Sequence, residues 1–145
     1  MFDLDSMRVD PLAATEGQWF PNGSASFLIA RHNNRLAENA RNAALAPFYS
    51  KLAESMADKV SDEDEEEFHR IQTRILCDHV LKGWKGVYRS GVEVEFTPDV
   101  AYELLVDHGF NELRQFILMH SVNRESFLSK NTAAIEKDVK PSAAS

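Results

Sequence analysis

Five histidines, one cysteine, a run of acids and three closely spaced arginines are the side chains of this sequence with the means to do chemistry. Cys77 and His79 flank Asp78, a pairing from which a thiolate nucleophile and its base can be built. On a helix, however, positions two apart point to different faces, so thiol and imidazole do not come within hydrogen-bond reach. His32, His69 and His108 are scattered, and His120 falls on an apolar stripe with Phe116 and Ile117, where a packed or partner-facing ring is expected. Residues 61–67 (SDEDEEE) offer carboxylates to a metal, but consecutive acids on a helix diverge. No Asp-x-Asp-x-Asp-Gly loop closing on Glu is present to fold oxygens around calcium. The run reads instead as a helix start, with Ser61 as N-cap, Asp64 at the third helical position and the other acids matched to the helix dipole. Arg31, Arg35 and Arg41, offset by Glu38, read as a solvated helix face, with an anion site as the sharper alternative. There is no phosphate-cradling glycine loop, no His-Glu-x-x-His helix and no serine elbow. The expectation is a protein with no catalytic, cofactor-binding or metal-binding residue, and so not an enzyme.

The balance of charges narrows the partners. Sixteen Lys and Arg against twenty-three Asp and Glu leave a formal charge of −7, so the average surface repels phosphate backbones and anionic lipid. Neither nucleic acid nor membrane is an expected partner. A single cysteine excludes an internal disulfide and a thiol cage, and suits a reducing compartment. The first residues, MFDLDSMRVD, carry acids where a secretion signal needs a basic start, and no apolar run approaches the length of a membrane span. With 145 residues, 43% of them apolar, one core is the default, able to remove roughly 70% of the unfolded surface from water.

The elements that must position these residues follow from pattern. Residues 1–16 have weak periodicity and are expected to form a flexible arm, or one that orders only against a partner. Trp19 and Phe20, then Pro21-Asn22-Gly23-Ser24, then Phe27, Leu28 and Ile29 predict a hairpin turning at Asn-Gly, with Pro21 on an edge strand. A helix begins near Asn33, capped by Asn33 or Asn34, with Leu36, Ala40, Ala44, Phe48, Leu52 and Met56 on one face and a kink or break at Ala46-Pro47. A second helix runs from the acidic stretch through Phe68, Ile71, Ile75, Leu76 and Val80, and stops at Gly83. Ser90-Gly91 and the alternating Val92, Val94 and Phe96 predict a second small hairpin. Thr97-Pro98-Asp99 opens a helix with Ala101, Leu104 and Leu105 inward, followed by another carrying Leu113, Phe116, Ile117 and His120. The tail 129–145 is small and polar and is expected to be disordered. The fold class is α+β: a mainly helical single domain over 17–128 with two short β-hairpins.

The order Gly83-Trp84-Lys85-Gly86-Val87, a glycine turn, Glu95-Phe96-Thr97-Pro98-Asp99, then Ala101/Leu104/Leu105 leading to Phe116-Ile117 and Phe127, resembles the tail assembly chaperones of long-tailed, non-contractile bacteriophages and prophages. The resemblance covers most of 17–128. It implies a non-enzymatic protein of the host bacterial cytoplasm, absent from the mature virion, that binds and solubilises the tape measure protein and helps recruit tail tube subunits. It further implies self-association and a possible frameshifted longer form as partner. Such a chaperone needs apolar side chains that its own core does not use. The candidates here are Trp19 and Phe20 on the hairpin edge, and Met119, Val122, Phe127 and Leu128, which do not fit the stripe of their helix. A structural virion protein, such as a head-tail connector or tail terminator, is the alternative. A small acidic decoy of a nucleic-acid-binding host protein is a third reading.

Overall fold

The computed structural model describes residues 2–55 and 60–128. Met56, at the far end of the stripe expected on the first long helix, and the tail from residue 129 lie outside the described residues. Within them the fold is α+β, with helices around two small antiparallel sheets. After a 3-10 turn at Leu4–Met7, helix α1 (Pro11–Glu16) is capped by Asp10, whose carboxylate accepts from the Leu12 and Ala13 amides at 3.0 and 3.3 Å. Strands β1 (Gln18–Asn22) and β2 (Ala25–Ile29) form the first hairpin.

The pairing Asn22↔Ala25 makes Gly23 and Ser24 the turn, one residue later than the Asn-Gly turn read from sequence. Gly23 sits at φ +62 and Ser24 is not left-handed, which is the turn that wants glycine first. Because strand faces alternate, this register decides what goes inward. Phe20 pairs with Phe27, and Phe27 with Trp84, so three aromatics cross the sheet on its core face. Trp19, Leu28 and Gly83 form the next row, on the opposite face.

Gly83 and Trp84 belong to a third strand, β3 (Leu81–Lys85), rather than to the end of a helix. Helix α3 (Asp62–Ile75) is capped as expected, with the Ser61 hydroxyl accepting from the Asp64 amide at 3.1 Å, but its regular part ends at Ile75. One π turn, Leu76–Val80, then leads without a loop into β3. A two-stranded hairpin alone is marginal in water, and pairing β3 with β2 completes a three-stranded sheet in the order β1-β2-β3. The π turn buries Leu76, Cys77 and Val80, which a helical reading could not separate from the helix before it.

Helix α2 (Arg35–Glu54) is capped by Asn34 and runs through Pro47 without a break. Its buried residues are Ala37, Leu45 and Phe48, whereas Leu36 and Ala44 of the expected face are exposed. A strict four-residue repeat advances about 40° per step around a 3.6-residue helix, so it drifts off any one face. The observed stripe corrects the drift with a three-residue step between Leu45 and Phe48. Strands β4 (Tyr88–Arg89) and β5 (Val92–Glu93) turn through Ser90 and Gly91, both left-handed at φ +52 and +79. Helix α4 (Pro98–Leu105) opens on Thr97, whose hydroxyl accepts from Val100 at 3.0 Å, and α5 (Asn111–Ser121) follows.

The core lies between the sheet, α5, α4 and the π turn, with Ile29, Leu81, Leu105, Ile117 and Phe127 wholly buried. Phe116 meets Phe27 edge-on at 5.6 Å, and Phe96 meets Trp84 at 5.0 Å. The Trp84 indole N–H donates to the Val94 carbonyl at 2.7 Å, fastening the β4–β5 hairpin to the sheet. The N-terminal segment, expected as an arm, lies against this chain's own C-terminal region. The Asp10 amide donates to the Phe127 carbonyl at 2.8 Å, Val9 bridges Leu128, and the Arg31 amide donates to Ala14.

Candidate functional site

The six residues expected to meet a partner do not share one surface. Phe20 and Phe127 turn inward: their rings lie 6.4 Å apart, and Phe127 is 0% exposed, so it presents nothing to a partner directly. Phe20 also stacks on His120 at 4.3 Å, and His120 meets Phe116 at 4.6 Å, so this histidine is held in an aromatic sandwich. Leu128 is half-buried in its bridge to Val9.

Trp19, Met119 and Val122 stay outside, at 44%, 61% and 57% exposure. Trp19 lies on the outer sheet face, where a side chain at Gly83 would touch its ring at 3.9 Å, and the Lys85 ammonium sits 4.3 Å over the indole. Met119 borders a shallow depression on α5 with Phe116, Gln115 and Glu112. Strand β1 is hydrogen-bonded on one side only among the described residues. Asn22 and Ala25 flank the two-residue turn and form a bonded pair, so Phe20 and Gln18 also bond to β2, while Trp19 and Pro21 aim their backbone outward. Pro21 has no N–H, which removes no bond from the ladder but leaves Trp19 as the outward donor of this strand.

The residues with chemical potential are also placed. The Cys77 thiol is 1% exposed and burial pushes its pKa up to about 12, which keeps it protonated. Arg74 on α3 is held charged by Asp78, with Nε to Oδ2 at 3.0 Å, and reaches Asp99 at the start of α4 at 2.9 Å. Of the acids at the start of α3, Glu66 pairs with His108 at 2.7 Å and Glu67 with Lys51 at 3.0 Å. Among the described residues no group of three His, Cys, Asp or Glu is arranged to hold a metal ion, and no helix is long and apolar enough to cross a membrane.

Sequence reasoning missed one cluster. His32, Arg41 and Arg114 line a cleft of about 210 Å³ with Gln72, over a floor of Leu76 and Leu118. His32 Nδ1, Arg41 Nε and Arg114 Nε are buried with no hydrogen-bond partner in the protein. Arg41 spends Nη2 on the His32 carbonyl at 3.1 Å, and Arg114 spends Nη1 on His69 Nδ1 at 2.8 Å. Arginine cannot accept a hydrogen bond, so His69 Nδ1 is the acceptor and Nε2–H donates to the Val106 carbonyl at 3.0 Å. Burial, then the Arg41 charge, lowers the pKa of His32; burial, then Arg114 and His108, lowers that of His69. Both rings are therefore neutral at pH 7. The arginine triplet near the start of α2 gave the only hint: Arg35 is exposed, whereas Arg41 turns into the cleft and meets an arginine 73 positions away, from α5.

This arrangement, a small α+β domain whose exposed apolar residues include some on a strand edge and a helix end, is accompanied by a likeness to a family of prophage proteins. Residues 28–138 match its model, a span that starts inside β2 and takes in every element from α2 to α5. The chain belongs to the YdaY prophage protein family. No curated protein and no solved structure matches it.

Proposed function

We propose that this prophage protein works without bond-making, by docking another polypeptide, and that it serves as a tail assembly chaperone. In this reading it holds the tape measure protein in solution, helps bring tail tube subunits to it in the host cytoplasm, and is left behind when the particle is complete. The observation that supports it is that Trp19, Met119 and Val122 stay exposed, Trp19 on a strand that among the described residues is paired on one side only. A long amphipathic client is sheltered by apolar side chains that its holder does not need for its own core. The net charge of −7 keeps such a complex dispersed.

Co-expression with the tape measure protein of the same prophage tests the reading. The client should be soluble with the native chain and largely insoluble with a Trp19→Ser/Met119→Ser/Val122→Ser variant whose own fold is intact by circular dichroism. A client equally insoluble with and without this chain would overturn the proposal. Recovery of the chain in fixed proportion from purified particles would favour a virion component such as a connector or tail terminator.

A further inference from the structure

We infer that the cleft between His32, Arg41 and Arg114 is a binding site for a small oxyanion. Three observations carry this. First, two guanidinium groups converge on one cleft with no carboxylate among the described residues in ion-pair contact with either, in a chain where carboxylates outnumber cations twenty-three to sixteen. Arg74, by contrast, has two carboxylates to itself. A partly desolvated guanidinium cannot shed its proton, so the charge remains and asks for a counter-charge.

Second, the cleft gathers nitrogens that lack a partner. Arg41 Nε and Arg114 Nε are buried N–H donors and His32 Nδ1 is a third buried nitrogen; none has a hydrogen-bond partner in the protein, and leaving a buried N–H unpaired is unfavourable. An anion satisfying several of them at once makes charge-assisted bonds, the stronger kind. Third, the donors are held in place by the fold. The other end of Arg114 is fixed by neutral His69, itself anchored on Val106, and Arg41 is fixed by the His32 carbonyl. The His32 amide is bound in turn to the Ser121 carbonyl. Glu38 acts on His32 against Arg41, and Glu66 acts on His69 against Arg114.

A cleft of about 210 Å³ has room for an orthophosphate or a short dicarboxylate. Gln72 adds an amide that can donate or accept, and Leu76 and Leu118 add hydrocarbon to the lining.

The test is thermal unfolding of the whole chain in inorganic phosphate or in succinate, with ionic strength held constant by sodium chloride. A saturable rise in Tm is expected with at least one of the two anions, and the more effective one identifies a phosphoryl or a carboxylate ligand. Affinity should fall about tenfold or more in Arg41→Gln and in Arg114→Gln, and stay unchanged in Arg35→Gln, whose side chain is exposed. If the variants do not fold, the Nε–H signals of Arg41 and Arg114 in the native protein decide, since both should shift during the same titration. No rise beyond that of chloride, a rise that survives in both glutamine variants, or side-chain signals that do not move would overturn the site.

Discussion

With its ring neutral, His69 commits both nitrogens, accepting from Arg114 and donating to Val106. A second proton would have to displace the Arg114 bond and set two cations together. His69, facing Arg114, His108 and Glu66, and His32, facing Arg41 and Glu38, both titrate below their ordinary 6.5 in the folded protein. As pH falls through 6.5 the unfolded chain takes up these protons first, so stability is full at pH 7 and declines on acidification toward the folded pKa values. Denaturant midpoints between pH 7 and 5 should show this slope, and His69→Gln should flatten it. Asn34 is a second residue with every polar atom engaged. Its oxygen accepts from the Ala37 amide at 3.0 Å, and its amide donates to the Arg31 and His79 carbonyls at 2.7 and 3.0 Å. Asn34→Ala removes a cap and the donor to the His79 carbonyl, while the Arg31 carbonyl keeps the backbone amide of residue 34, a loss of about 2 kcal/mol in urea unfolding. The cap was legible in the sequence because it is local. The bond to His79, 45 residues away, was not.

At the scale of elements, what could be read from pattern was whatever short-range chemistry determines. Ser61 and Thr97 start helices, Pro98 occupies a first turn, and Ser90-Gly91 makes a tight turn. What escaped was decided by distant pairing: β3 is a strand because β2 needs a second neighbour, and the π turn exists where α3 must hand over to it. Glycines separate the two kinds of constraint. Gly17 and Gly86 are left-handed at φ +96 and +70, and a methyl group on either would come within 2.9 Å of backbone, from Ile29 and Ser24 respectively. Gly23 is left-handed too, but nothing lies within 4 Å of its added carbon. Alanine at Gly17 or Gly86 should therefore cost more than at Gly23, where the backbone term alone is about 1–2 kcal/mol. Pro47 tests the opposite case. It is exposed inside a continuous α2, so Pro47→Ala should restore an amide and raise stability by about 2 kcal/mol, read from thermal unfolding.

For the whole molecule, the limits of the cooperative unit follow from Phe127. It is wholly buried, and its carbonyl receives the Asp10 amide, so the two ends of the described chain close on one another. A chain ending at Leu128 should unfold in one transition, whereas one ending at Asn123 loses this ring and should unfold early or not fold at all. The candidate surfaces were only partly readable for the same reason. Surplus apolar residues on α5 can be counted, but whether Phe20 or Trp19 faces outward depends on a turn displaced by one residue. The passage from Ile75 to Leu81 carries a further consequence. Five residues of widened helix are joined directly to the strand, with no slack between them, so a tug that peels β3 from β2 also unwinds the end of α3. Deuterium should thus enter the amides on either side of that junction at a shared rate, and a change in the sheet's outer rim would be felt, as loosening, at the floor beneath the arginines.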